Sequence, residues 1–138
     1  MRQRSILDAG PLVAFLSDSD EHSKWAVSAL VGLPPPFYTC EAVITEASYL
    51  ARAFAGGGQR VIELVNSGWL QISFVLQDEA AVVQQLMRRY SDVPMSLADA
   101  CIVRMTEHYD ESVVITTDRH FRVYRRNGRS QIPLLTPR

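Results

Sequence analysis

The sequence contains few residues of the kinds that build disulfide frameworks, zinc sites or membrane spans. Its 138 residues include only two cysteines, Cys40 and Cys101, whose separation fits no C-x-x-C or zinc spacing, so we expect buried thiols. The three histidines show no metal-ligand spacing either. There is no apolar run long enough to span a membrane and no basic-plus-hydrophobic leader. We therefore expect a cytoplasmic protein that makes no membrane contact.

Net charge of one sign is also scarce. The formal charge is −1, and Lys24 is the only lysine among 14 basic residues. Such a balance gives no general attraction to nucleic acid, so any site for a polyanion must be local. The composition, 47% hydrophobic and 21% charged, is typical of a soluble globular protein. A chain of this length predicts a single domain over residues 1–138.

Short apolar segments alternate with helical patterns along the chain. Strands are predicted at 6–7, 37–39, 69–75, 112–116 and 131–135, and helices at 11–16, 21–31, 41–55, 59–66, 78–90 and from 96 onward. This alternation predicts an α/β fold with a mostly parallel central sheet. The glycine run at 56–58 lacks the G-K-[ST] ending of a phosphate-binding loop, which favours a helix stop and hinge.

Two acids follow predicted buried strands directly. Asp8 comes after Ile6-Leu7, before a helix that we expect Pro11 to open, with Gly10 allowing a sharp turn. Asp118 comes after the clearest strand, before a short basic helix that begins at Arg119. Ligands bind at the carboxyl edge of open α/β sheets. The alternative is that both acids only cap the helices that follow them.

Two further acids lie on predicted helices. Glu46 flanks an apolar stripe, where a carboxylate is partly desolvated. Asp99 lies within an apolar helix, and its alternative role is specific: with Ser96 as N-cap, it is the third residue of a capping box. Parallel pairing of the strands before Asp8 and Asp118 would bring all four acids to one edge of the sheet.

Four carboxylates at one edge would repel one another strongly. Each pair about 4 Å apart costs on the order of 4 kcal/mol at an effective dielectric near 20. Either some of them stay protonated or a divalent cation binds. Oxygen ligands without nearby histidine or cysteine favour Mg²⁺ or Mn²⁺, and such sites suit phosphate chemistry.

The motifs Ile6-Leu7-Asp8, Thr45-Glu46-Ala47, 96–100 (SLADA) and 116–121 (TTDRHF) occur in the order and spacing of PIN-domain proteins. The chain resembles the VapC-type toxins of toxin–antitoxin systems from residue 6 to about residue 135. The resemblance implies a three-layer sandwich with helices on both faces of a parallel sheet. It also implies a Mg²⁺- or Mn²⁺-dependent ribonuclease that leaves a 5′-phosphate and a 3′-hydroxyl, a homodimer, and an antitoxin partner.

Carried over by position, the resemblance makes Asp8, Glu46, Asp99 and Asp118 the catalytic and metal-binding quartet. Thr116 matches a hydroxyl position that orders the site. Ala9 departs from the family pattern, since many relatives carry Ser or Thr there. The segment after Asp118 supplies candidate contacts to RNA phosphates, although a solvated face or contact with an acidic partner explains it equally well: Arg119, Arg122, Arg125, Arg126 and Arg129.

Other classes of protein that place acids at strand ends fit less well. A receiver domain needs a lysine after a late strand, and Lys24 is in the wrong place. A D-x-D phosphatase needs a second aspartate where Gly10 stands. The alternatives that stay open are a housekeeping RNA-processing PIN nuclease and a PIN fold that binds RNA or a partner without catalysis.

Overall fold

The strands of the computed structural model, which describes residues 3–137, form one parallel sheet and one small hairpin. Their bounds are β1 Arg4–Leu7, β2 Phe37–Thr39, β3 Leu70–Ile72, β4 Ser112–Ile115, β5 Arg125–Arg126, β6 Ser130–Gln131 and β7 Leu134–Leu135. Five strands pair in parallel in the order β3-β2-β1-β4-β7, while β5 and β6 pair antiparallel. The predicted mostly parallel α/β sheet is confirmed.

Six α-helices and one short 3₁₀-helix connect the strands. Their bounds are α1 Ala9–Leu16, α2 Ser23–Val31, α3 Glu41–Ala51, α4 Gly57–Asn66, α5 Leu76–Arg89, α6 Leu97–His108 and the 3₁₀-helix Arg119–Arg122. The connections from β1 to β2 and from β2 to β3 run in one direction along the sheet, and the connection from β3 to β4 runs back. Because parallel crossovers are right-handed, α1–α4 cover one face and α5 and α6 cover the other.

The pairing of β1 with β4 sets the position of the candidate site. Ile6 lies opposite Val114 and Leu7 opposite Ile115 in a register without a bulge. All four side chains are fully buried, as expected for central strands with helices on both faces. Both strands therefore end at the same level, and the residues that follow them, Asp8 and Thr116, emerge side by side.

The structure corrects the expectation for the start of the first helix. α1 begins at Ala9, not at Pro11, and Asp8 is its N-cap. Gly10 lies inside α1 and makes no sharp turn. A Cβ atom on Gly10 would lie 2.4 Å from Thr117 Oγ1. Glycine is needed there because the segment after β4 packs closely against the first turn of α1.

Two elements near the C-terminal end also differ from prediction. The expected edge strand at 131–135 is divided, because Gln131 pairs with Arg125 in the hairpin and only Leu134–Leu135 pairs with β4. The hairpin itself was not predicted, since two-residue strands carry no periodic signal. The helix after Asp118 is a single 3₁₀ turn.

The two cysteines are free and buried, as predicted. The Cys40 thiol precedes α3, and its neighbour is the Cys101 thiol of α6. Burial and this contact raise the pKa of Cys40, which keeps the thiol protonated. Within residues 3–137, no helix has the length and apolar character needed to cross a membrane. Residues 1, 2 and 138 of the predicted domain lie outside the described residues.

The glycine run at 56–58 provides a test of the packing between α3 and α4. A Cβ on Gly57 would lie 2.0 Å from the Ala51 carbonyl oxygen, whereas the nearest contact for Gly58 is Ser48 O at 3.8 Å. We expect Gly57→Ala to destabilise the protein by about 2 kcal/mol through overpacking. Gly58→Ala serves as the matched control and is neutral or stabilising by about 0.5 kcal/mol. Urea unfolding of both variants measures the difference, and equal effects would contradict the packing described.

Candidate active site

Asp8 lies at the carboxyl end of β1, where only 7% of its surface is exposed. Its Oδ1 accepts a hydrogen bond from Ala9 N at 2.8 Å, and its Oδ2 accepts one from Thr116 Oγ1 at 2.7 Å. The capping alternative is therefore correct for one carboxylate oxygen. The second oxygen points instead toward the end of β4, where helix capping does not require it.

Thr116 connects the ends of the two central strands. Its side chain is fully buried, donates to Asp8 and accepts a hydrogen bond from Asp118 N at 2.9 Å. A single hydroxyl thus orients the Asp8 side chain and the backbone at Asp118. This geometry agrees with the ordering role that the resemblance implies for Thr116.

Asp118 is half-buried and caps the 3₁₀-helix that follows it. Its Oδ1 accepts hydrogen bonds from His120 N at 2.9 Å and His120 Nδ1 at 2.8 Å. The predicted N-cap role is confirmed. The ring of His120 was expected only at a surface or helix end, and it contacts an acid of the candidate site.

Asp99 forms the predicted capping box at the start of α6. Its Oδ2 accepts from Ser96 N at 2.9 Å, and its own backbone N donates to Ser96 Oγ at 3.0 Å. Tyr124 OH lies 3.4 Å from the same Oδ2 and also contacts Pro94 O. Capping and the tyrosine therefore hold one oxygen of this half-buried carboxylate.

Glu46 differs from the three aspartates because it is exposed on α3. Among residues 3–137, no hydrogen bond or ion pair to its carboxylate is found. Burial of part of the side chain raises its pKa, and the negative charges of Asp99 and Asp118 raise it further. Glu46 therefore faces the same edge of the sheet as the aspartates and is the least engaged of the four acids.

The four acids share one electrostatic environment. Burial raises the pKa of Asp8 to about 6, against the lowering effect of its hydrogen bonds with Thr116 and Ala9, and the charges of Asp99 and Glu46 add to the increase. Burial also raises the pKa of Asp99, and Asp118 adds to it. In the described part of the chain, the Arg and Lys ion pairs involve none of these acids.

The carboxylates fit a divalent cation that retains water ligands. No three His, Cys, Asp or Glu side chains within residues 3–137 are close enough to enclose an ion. Mg²⁺ does not need such a cage, since proteins usually bind it through one or two carboxylates and leave several water ligands in place. The donor set is all oxygen and carries uncompensated negative charge, which suits Mg²⁺ or Mn²⁺.

The predicted basic segment divides into two groups. The guanidinium of Arg126 donates to the carbonyl oxygens of Thr106, Tyr109 and Asp110, so it caps the C-terminal end of α6 and the loop that follows. Arg125 Nη1 donates to three backbone carbonyls between 122 and 124. These contacts occupy both side chains in local structure.

Arg119 and Arg122 are placed differently from the other two candidates. Both are exposed and line a cavity next to Asp118. They are the members of the predicted RNA-binding group that lie beside the acids.

Sequence reasoning missed two residues at this site. Tyr124 is fully buried and lies against Asp99, and burial together with the nearby carboxylates raises its pKa. Thr117 packs against Gly10 and lines the cavity beside Asp118. Thr117 is adjacent to a motif residue and could have been found from the pattern. Tyr124 reaches Asp99 only through the fold of the C-terminal segment.

A family model described as the PIN domain matches residues 5–127 of the chain. The chain is similar in structure to VapC20 of Mycobacterium tuberculosis, described as a sarcin-ricin loop cleaving toxin, with a TM-score of 0.72 and 15% identity over 80% of this chain and 86% of that one. A toxin–antitoxin complex from Klebsiella pneumoniae gives a TM-score of 0.67 and 21% identity over 97% and 98%.

DNA-bound VapBC from Salmonella typhimurium gives a TM-score of 0.60 and 15% identity over 98% of each chain. At these identities the structural likenesses show the fold alone. No curated protein matches the chain's sequence significantly.

The burial of Asp8 predicts a pH-dependent stability of the metal-free protein. Its folded-state pKa of about 6 lies above the ordinary value of 3.8, so its contribution to stability is fully present below about pH 4 and is lost as the pH rises through 6. In EDTA, we expect Asp8→Asn to be more stable than wild type at pH 7.5, by on the order of 3 kcal/mol. The advantage should vanish near pH 4.

Urea unfolding over a pH series measures this difference. Asp110→Asn is the matched control, because this exposed aspartate follows the far end of α6 from Asp99. A pH-independent difference between wild type and Asp8→Asn would contradict the assignment.

The Thr116 hydroxyl provides a second test. Thr116→Val keeps the shape of the side chain, removes the donor to Asp8 and leaves Asp118 N without its partner. We expect a loss of about 1–3 kcal/mol and a further rise in the pKa of Asp8, observed by carboxyl NMR. Thr39→Val is the control, because this buried hydroxyl bonds Leu7 O. If both variants shift the Asp8 pKa equally, the direct link is refuted.

Proposed function

Because the chain belongs to the PIN-domain family, we propose that it is a Mg²⁺- or Mn²⁺-dependent endoribonuclease. The observation that carries the proposal is the meeting of four acids, from β1, α3, α6 and the end of β4, without a basic partner in the described residues. Their mutual repulsion raises the pKa of three of them. A structural network would pair these charges, whereas a cation site needs them unpaired.

In this proposal Asp8 and Asp99 are the principal ligands, and Asp118 and Glu46 complete the site. The chemistry that a bound divalent ion supplies is activation of water and stabilisation of charge on the phosphate. Thr116 fixes the orientation of Asp8, and the capping box fixes that of Asp99. Glu46 is the acid best suited to accept a proton from water at a carboxylate oxygen, because neither oxygen is otherwise engaged.

The proposed reaction is hydrolysis of an RNA phosphodiester. Water attacks phosphorus, the bond from phosphorus to the 3′-oxygen breaks, and that oxygen takes up a proton. The products are a 5′-phosphate and a 3′-hydroxyl. The arginines beside the acids, Arg119 and Arg122, hold the RNA backbone but contribute no sequence preference.

We further propose that the enzyme is the toxin of a type II toxin–antitoxin pair that acts in the cytoplasm. The support is the resemblance of the whole chain to VapC-type toxins and its likeness in fold to a toxin–antitoxin complex over 97% of its length. A homodimer and an antitoxin that covers the site belong to this proposal. The housekeeping nuclease differs only in lacking such a partner, and an antitoxin-like gene next to this one separates the two.

Cleavage of total cellular RNA by the purified protein tests the catalytic proposal. With Mg²⁺ or Mn²⁺ we expect cuts at few positions with 5′-phosphate ends. The cuts should disappear in EDTA, and Asp99→Asn should lower the rate at least about 100-fold, because the variant keeps a capping side chain but loses the charge. Asp110→Asn should cut like wild type. Equal RNA profiles for wild type and Asp99→Asn would leave a non-catalytic binding module.

A further inference from the structure

A cavity of about 330 Å³ opens beside Asp118, on the side of the sheet edge toward β7. Three separate parts of the chain form its wall. His22 precedes α2, residues 117–122 surround the 3₁₀-helix, and residues 136–137 follow β7. The cavity therefore borders the four acids at Asp118 and extends away from the others.

The cavity has the opposite charge character from the acids. Arg119, Arg122 and His22 line it, and Asp118 is the one acid in its wall. One oxygen of that carboxylate already accepts two hydrogen bonds from His120. Guanidinium groups in a concave site favour phosphate, because their fixed donors match two phosphate oxygens at once.

The cavity wall is held in a fixed place relative to the acids. Thr117, which contributes to the wall, packs so closely on α1 that no Cβ fits at Gly10. Thr117 also connects Thr116, the partner of Asp8, to Asp118. The donors of the cavity and the carboxylates are therefore parts of one packed unit around the carboxyl ends of β1 and β4.

We propose that this cavity binds the RNA phosphate next to the one that is cleaved. The inference rests on the proposed nuclease function and adds His22 and Thr117 to the residues that contact RNA. Each nucleotide of a strand carries a phosphate, so a strand whose cleaved phosphate lies over the acids brings a neighbouring phosphate to the side of Asp118. An acidic peptide is less favoured, because nothing in its sequence requires a carboxylate at that spacing.

Inorganic phosphate is the direct probe of the cavity. In EDTA, phosphate at about ten times its Kd should raise the Tm of the wild type by a few degrees over chloride at equal ionic strength. Arg122→Gln, Arg119→Gln and His22→Gln should each reduce the increase by half or more. Lys24→Gln is the matched control, since this exposed cation lies two residues from His22 but does not line the cavity.

Two results would overturn the proposal. One is an equal phosphate response in Lys24→Gln and all three cavity variants. The other is an equal increase in Tm with acetate, which would identify a general anion site suited to an acidic peptide. Three separate variants are used so that poor folding of one does not decide the outcome.

Binding of a fluorescent single-stranded RNA, measured in EDTA as a function of salt, tests the RNA phosphate itself. We expect Arg122→Gln to weaken binding about 5- to 10-fold and to reduce the slope of log K against log salt by about 0.7, with Lys24→Gln within twofold of wild type. An unchanged slope in Arg122→Gln contradicts the proposal. Because no cleavage occurs in EDTA, this result stands apart from the nuclease test, so the two proposals fail separately.

Discussion

The in-register parallel pairing of β1 with β4 is the constraint on which the site depends. It ends two buried strands at the same level and places Asp8 within 2.7 Å of Thr116. Every other acid is positioned relative to that pair: Asp99 by the start of α6, Asp118 by the turn after β4, and Glu46 by α3. A slip of one residue in this register would turn Ile6 and Leu7 away from the faces that they now fill.

The site concentrates charge where the fold can least accommodate it. Asp8 is almost completely buried, and two of the other acids increase its cost of ionisation. Elsewhere the chain pairs its charges, as in the contacts of Arg104 with Glu79 and Glu107. The contrast within one small protein indicates that the unpaired acids are retained for binding, since packing alone gains nothing from them.

The sequence predicted the fold well because strong local patterns agreed with one another. The apolar β-branched run at 112–116 and the acids after two strands were sufficient for a parallel sheet with a polar edge, and the capping box at Ser96 and Asp99 was found as expected. What failed depended on tertiary contacts. The early start of α1, the hairpin of β5 and β6 and the role of Gly10 follow from packing against distant segments. The structural use of Arg126 could not be distinguished from a surface cation by spacing.

Three of the four acids have a second task, because Asp8, Asp99 and Asp118 each cap the helical turn that follows. Asparagine caps a helix about as well as aspartate, but it carries no charge. At each of these positions, one substitution of an oxygen by a nitrogen therefore separates the fold from the charge. Lineages of this protein can lose the charged site in a single step and keep a folded domain, whereas Glu46 has no such route because its side chain has no partner to preserve. An inactive descendant would thus be expected to carry asparagine at a strand end.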